Sequence, residues 1–416
     1  MSDLLALVEQ YGSPLYVYEL PEVRRACQAL RAALPDGSHL FYSLKANPHP
    51  ELVRALAELG CRAEVSSLGE LEAALSAGCA ASEMLYTGPG KSRREVDEAL
   101  AAGVTQFSFD SPVQGAVVGA AAKAAGRTVR GVLRVNPDGG SSAFGLAMGG
   151  GPSPFGFDAS AVRKAAREFA SDGWVDLRGF HFYVGTNADQ PEALLATFET
   201  AIATAVELQT ALGIELELLD LGGGFGQAFA APGARVDFTA LKAPLERMLD
   251  ARLPGWRRQR PQIAFESGRY LVGAAGTLVC TVEDVKASGD RTFAVLDSGV
   301  NHLGGLGGLR KITPGQVKVE LLSPGADAPL APVDVVGPLC TPADGWARNV
   351  ALPRLAPGQR LVVRNVGAYG ITASLLAFLS REAPVEVVVD GARVSASRLS
   401  VQRSSVAHAA PSRRQP

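Results

Sequence analysis

The chain has 416 residues, 47% of them hydrophobic and 20% charged, with a formal net charge of -2; it is too apolar for a disordered polypeptide and too near neutral to give nucleic acid or an anionic membrane an electrostatic hold. Such a length exceeds what one hydrophobic core usually organises, so two domains are expected unless a barrel of roughly 250 residues takes most of it, and a small molecule is the expected partner. The five cysteines, at 27, 61, 79, 280 and 340, are too scattered for a disulfide framework or a zinc knuckle and fit a reducing cytoplasm. Residues Met1 to Gln10 lack a basic n-region, and no apolar run approaches the roughly 20 residues that span a bilayer, so the chain reads as neither exported nor anchored.

Along the chain, residues 14–18 form the first strand candidate, expected to pack on a second domain. From about 38 to 285, short apolar runs alternate with amphipathic helical stretches, the rhythm of β-α units around a parallel sheet. Strand candidates fall at 39–43, 63–65, 84–87, 106–109, 131–135, 177–182, 216–221 and 262–265, with helical stretches such as 50–59, 68–77 and 92–101 between them. Eight such units predict an α/β fold, a (β/α)8 barrel over residues 36–285, whose catalytic groups gather where strands end and loops begin. After 286 the texture becomes β-rich, with runs at 292–296, 316–322, 333–336, 359–366 and 385–389. This predicts a β-domain over 286–401, joined by the N-terminal segment 1–35. Residues 402–416 are polar and read as a disordered tail. Gly149 to Gly151 is a brief glycine cluster within the barrel, and no internal repeat stands out beyond the β-α rhythm.

The residues able to do chemistry sit at strand ends. Lys45, in Tyr42-Ser43-Leu44-Lys45-Ala46-Asn47, would emerge at the barrel mouth, where a desolvated amine loses its proton and attacks an aldehyde. Taken alone it reads first as an exposed lysine at a loop start. His181, in Gly179-Phe180-His181-Phe182-Tyr183-Val184-Gly185-Thr186, stands where an imidazole can stack on a flat ring and Thr186 can bond a phosphate oxygen; a structural histidine is the alternative. Asp220-Leu221-Gly222-Gly223-Gly224-Phe225-Gly226 ends an apolar run with glycines that let backbone N–H groups converge on a phosphate, or that simply make a tight turn. In Phe265-Glu266-Ser267-Gly268-Arg269, an ionised Glu266 against a pyridine nitrogen would keep it protonated and the ring electron-accepting; the alternative is a surface ion pair with Arg269. Further on, Gly337-Pro338-Leu339-Cys340-Thr341-Pro342-Ala343-Asp344 places beside an acid a thiol suited to returning a proton to a carbanion, with a buried inert cysteine as the alternative. Tyr369 has glycines close on both sides, which suits a phenol near a ligand or a turn.

In this order the motifs resemble the fold-type III pyridoxal-phosphate (PLP) decarboxylases, the family of diaminopimelate, ornithine and arginine decarboxylases, whose barrel resembles that of alanine racemase. The resemblance runs from Pro14 to about Phe378. It implies a PLP-dependent amino-acid decarboxylase with Lys45 as the Schiff-base lysine, Glu64 as a cofactor-site acid, His181 as the ring stacked on PLP, and Glu266 as partner of the pyridine nitrogen. Thr186, Gly222, Gly223, Gly224, Gly268, Arg269 and Tyr369 fall where the family binds phosphate, and no metal is implied. Cys340 would be the proton donor, reaching the active site from the partner subunit of a head-to-tail homodimer. The resemblance implies that substrate amine displaces Lys45, that the α-carboxylate leaves as carbon dioxide while the ring stores its electrons as a quinonoid, and that Cys340 protonates the α-carbon. Thr341, Asp344 and Tyr369 are then expected to meet the substrate.

Departures from the family pattern bear on that substrate. Diaminopimelate decarboxylases usually have Cys-Glu-Ser and ornithine decarboxylases Cys-Asp, whereas here Thr341 follows Cys340. A free distal ammonium would lack its counter-charge in a partly dry pocket. Glu266-Ser267-Gly268-Arg269 stands where the family has Glu-Pro-Gly-Arg. Met148-Gly149-Gly150-Gly151-Pro152 and Pro154-Phe155-Gly156-Phe157-Asp158, with the His181 to Thr186 and Cys340-Thr341-Pro342 segments, resemble a branch of biosynthetic-cluster decarboxylases that act on glutamyl groups tethered to an acyl-carrier protein. The expected substrate is therefore an amino acid or an amino-acyl group on a carrier protein. The alternatives are a meso-diaminopimelate decarboxylase of lysine biosynthesis, an amino-acid racemase, for which the Cys340 loop has no equivalent role, and a non-catalytic binding or regulatory relative, which would have lost cofactor residues that are all present here.

Overall fold

The computed structural model describes residues 3–137, 146–147, 153–170, 173–183, 185–304, 317–322 and 329–404. The Met148 to Pro152 motif with its glycine cluster, Val184, the start of the 316–322 run and all but the first residues of the 402–416 tail lie outside the described residues.

Eight parallel strands close into a barrel. They are His39–Ser43, Arg62–Val65, Leu85–Tyr86, Gln106–Phe109, Val129–Asn136, Val175–Phe182, Leu218–Asp220 and Gln262–Ser267. The circle is completed by pairing of Gln106–Phe109 with Val129–Asn136 and of Gln262–Ser267 with His39–Ser43. Phe41, Phe107, Phe109, Phe180 and Phe265 are fully buried, as parallel strands covered on both faces require. The turn from strand to helix is set by serine: Ser67, Ser92 and Ser111 each accept the backbone N–H three residues on and so start the helices Leu68–Ser76, Arg93–Ala101 and Pro112–Ala124. Each cap satisfies a helix-end donor and contributes about 1 kcal/mol.

A second sheet takes up the chain at Gly276, earlier than the change of sequence texture at 286. The strand Gly276–Ser288 pairs antiparallel with Leu15–Glu19, Arg291–Leu296 and Arg360–Arg364, because a single long strand carries the chain out of the barrel without a break. Leu15–Glu19 lies between it and Val385–Asp390, pairing parallel with the latter. Leu330–Val336 and Gly345–Pro353 extend the other edge.

The two sheets meet at the barrel mouth. Ala46 O accepts Tyr369 N–H at 2.8 Å and Thr372 Oγ1 at 3.2 Å, and Asn47 Nδ2 donates to Gly367 O at 3.0 Å. Tyr42 OH, buried beneath the turn, closes it by donating to Asn47 O at 2.6 Å. The turn that carries Lys45 is thus stitched to the second sheet. Among the described residues no helix is long and apolar enough to cross a membrane.

Candidate active site

The strand His39–Ser43 ends in a single 3-10 turn, Leu44–Ala46. Leu44 and Ala46 are buried there while 42% of the Lys45 side chain is open to the mouth. Lys45 Nζ donates to Glu64 Oε1 at 3.2 Å and Oε2 at 3.4 Å. Glu64 is buried at the end of the neighbouring strand and accepts Thr87 Oγ1 at 2.6 Å. Desolvation works against the charge on each partner, but the pair prevails. Glu64 and then Glu266 raise Lys45 above the ordinary lysine range, and Lys45 with the Ser43 and Thr87 hydroxyls holds Glu64 well below the usual carboxylate range. A lysine deprotonated by desolvation was expected from the sequence; two nearby carboxylates keep this one charged instead.

Opposite, three buried groups from three adjacent strands, His181, Asp220 and Glu266, bring ligand atoms within 4.8 Å of one another. His181 Nδ1 meets Ser108 Oγ at 2.8 Å, and its Nε2 lies 3.2 Å from Glu266 Oε1. Burial opposes the imidazolium, yet Glu266 raises the His181 pKa overall. Asp220 accepts Gly222 N–H at 2.8 Å, and burial, then Glu266, pushes its carboxyl up to about 7. Ser108 thus holds the His181 ring by Nδ1, with Nε2 beside Glu266 Oε1. The ring facing Lys45 is Tyr183, two residues on, whose centroid lies 5.6 Å from Lys45 Nζ and 5.5 Å from the Arg134 guanidinium carbon. Alternate strand residues share a face, and that spacing was the available signal for Tyr183.

The glycine loop follows Asp220. Gly222 has φ +73, and a Cβ there would lie 2.0 Å from Phe182 O; at Gly223 it would lie 2.5 Å from Glu266 O. Only glycine lets this loop pass so close to both strands. Thr186 is half-buried two residues before Ala188, which braces the loop by Ala188 N–H to Gly224 O and Gly226 N–H to Ala188 O, both 2.9 Å. Gly268 packs against Ala46, where a Cβ would meet the alanine methyl at 2.7 Å. Next to it Arg269 is buried, its guanidinium 4.8 Å over the Tyr369 ring, with Nε and Nη1 unpartnered among the described residues. Tyr369 itself has φ +55, and burial pushes its phenol up to about 12. Buried, unpaired guanidinium nitrogens beside glycine backbone fit a phosphate monoester, and Glu266 with the Tyr183 ring suits a flat, basic heterocycle. The donor set therefore fits PLP.

The Cys340 segment is not joined to this cluster within one chain. Cys340 is exposed in the loop after Leu330–Val336. Thr341 Oγ1 accepts Ala343 N–H at 3.3 Å. Asp344, expected to meet the substrate, is buried and spends both oxygens on backbone, accepting Val300 N–H at 2.8 Å and Leu339 N–H at 2.7 Å. Beneath the loop is a cavity of about 450 Å³ lined in part by Lys286, Arg291, Phe293, Thr341 and Arg348.

The family model for the pyridoxal binding domain of pyridoxal-dependent decarboxylases matches residues 20–273. The L-glutamyl-[BtrI acyl-carrier protein] decarboxylase of Niallia circulans is 28% identical over 394 residues, covering 93% of this chain and 91% of the relative. The diaminopimelate decarboxylase of Methanothermobacter thermautotrophicus is 31% identical over 403 residues, covering 95% and 91%. In structure, AQ1208 from Aquifex aeolicus superposes with a TM-score of 0.82 at 27% identity, covering 95% of this chain and 91% of that one.

Proposed function

Since the chain belongs to the pyridoxal-dependent decarboxylases and is a PLP-dependent amino-acid decarboxylase, we propose that its substrate is a glutamyl group whose distal end is tied to a carrier protein. The observation that carries this reading is at the Cys340 loop. Thr341 is neutral, and the nearby acid, Asp344, is occupied by two backbone N–H groups. A substrate with a free distal ammonium would find no counter-charge from this loop. The similarity to a decarboxylase named for a carrier-bound glutamyl substrate agrees with it.

Bound PLP supplies the electron sink that lets the α-carboxylate leave. Lys45 Nζ is the atom to hold its aldehyde carbon. Glu64, 3.2 Å away, holds and orients Nζ at that position. Glu266, its Oε1 3.2 Å from His181 Nε2, would face the ring nitrogen, and His181 would stack on the ring. Tyr183 would lie against the ring. Thr186, Gly222, Gly223, Gly224, Gly268, Arg269 and Tyr369 would take the phosphate. Cys340, exposed in its own chain, would deliver the proton at the α-carbon of a second copy's site, with Thr341 beside the substrate. Five free cysteines fit a reducing compartment such as the cytoplasm.

The test is a panel of free and carrier-linked amino acids offered to PLP-loaded enzyme, following carbon dioxide and the mass of the carrier. Release from carrier-bound glutamate alone supports the proposal; efficient turnover of free meso-diaminopimelate with no action on carriers sinks it. That second outcome has its own support in the diaminopimelate decarboxylases among the relatives. Rescue of a lysine auxotroph would then follow.

A further inference from the structure

Gln227 directly follows the glycine loop and is 2% exposed, yet among the described residues neither its amide nitrogen nor its carbonyl oxygen has a hydrogen-bond partner. Its backbone is fixed, since Gln227 N–H donates to Asn187 Oδ1 at 3.2 Å. The braces that shape the glycine loop therefore also deliver this side chain into the interior. A Cβ placed on Gly273 would lie 3.1 Å from Gln227 Cγ and 3.9 Å from Arg269 Cγ. The two side chains are neighbours, and Arg269 also keeps Nε and Nη1 buried and unpaired.

Burying an amide without a partner costs more than a made hydrogen bond returns. Leucine or methionine would fill the same space without that cost. Two adjacent side chains with four unpaired polar atoms, at the foot of a loop that only glycine can form, indicate a shared polar ligand. We propose that the Gln227 carboxamide belongs to the anion cradle and donates N–H to the phosphate of PLP, directly or through one water, beside Arg269. The inference rests on assigning this loop to the phosphate. A carboxamide suits the place because it adds a donor while leaving the charge balance to Arg269.

The experiment uses the full-length apoprotein as wild type, Gln227→Leu and Gln227→Glu, each titrated with PLP, with pyridoxal lacking the phosphate, and with inorganic phosphate. Cofactor uptake is read by visible absorbance and anion binding by thermal protection. Loss of one such bond predicts that Gln227→Leu binds PLP and inorganic phosphate about tenfold more weakly, with pyridoxal unchanged. Ligand-free Gln227→Leu should melt no lower than wild type, because two unpaired buried atoms are gone. Gln227→Glu should bind phosphate more weakly still, its carboxylate repelling the dianion. Unchanged PLP affinity and phosphate protection in both variants overturns the proposal. A wild type that takes up pyridoxal as well as PLP and gains nothing from phosphate overturns the cradle assignment instead. If Gln227→Leu does not fold, Gln227→Met is read in its place.

Discussion

In the barrel, Lys45, Glu64, His181, Asp220 and Glu266 come from five strand ends, and each is gripped by a group from elsewhere in the barrel or by its own loop. On the second sheet, Cys340 stands at the surface, and the bracing behind it comes from Asp344 and the segment around Val300. The barrel cluster is closed on itself; the Cys340 loop is offered outward. A barrel can gather a cofactor site within one chain because its strand ends converge, whereas a loop at a sheet edge has no such convergence.

The sharpest break is at Lys45. Lys45→Ala should lower carbon dioxide release by on the order of 10³-fold or more and abolish the visible band of covalently held cofactor, while the fold survives. Next, Cys340→Ala should cost on the order of 10²-fold in product formation with PLP binding intact. Mixing the two inactive variants separates the halves directly. Shared sites in a homodimer predict recovery of about a quarter of wild-type activity by random exchange of subunits. No recovery means that Cys340 does not act on a second copy.

Much of this contrast was legible in the sequence, and the parts that were not share a cause. The strand at 39–43 and that at 106–109 match the structure residue for residue, because their apolar runs are bounded by turn residues and feed helices capped by His49 and Ser111. The strands Gly345–Pro353 and Arg393–Arg398 gave no such signal; their exposed faces and polar content leave no continuous apolar run. In the site, Lys45 and the glycine loop were marked by motif. Ser108 and Thr87 were not, since what recruits them is cross-strand register, which a linear sequence does not display. The expectation for Asp344 shows the same limit. Its neighbour Cys340 pointed to a substrate contact, while the fold turned the carboxylate back onto its own loop.

That turn makes Asp344 the next place to test the outward half. Asp344→Ala removes two charge-assisted bonds to Val300 and Leu339 and leaves buried N–H groups unpaired, at a cost of about 3 kcal/mol. A lower Tm with unaltered PLP uptake and a falling turnover number would place the damage in the Cys340 loop. Loss of PLP uptake as well would mean that the two halves are not independent.

The smallest effect lies at the seam where Leu15–Glu19 joins the second sheet. Glu386 is buried there, accepts Tyr18 OH at 2.9 Å, and burial pushes its carboxyl up to about 7. The folded chain therefore binds this proton more tightly than the unfolded chain does. The stability it confers is whole below the ordinary carboxylate range and is lost as pH rises through about 7. Glu386→Gln mimics the protonated acid and should avoid that loss. At pH 8 the variant should be the more stable by on the order of 2 kcal/mol, and the gap should shrink towards pH 5 and close below the ordinary carboxylate range. Comparing the two proteins at each pH isolates Glu386 from the titration of nearby His49, which both share. A gap that is the same at pH 5 and pH 8 would show that Glu386 is not protonated on folding, and that this seam, like the barrel half of the site, tolerates a buried charge.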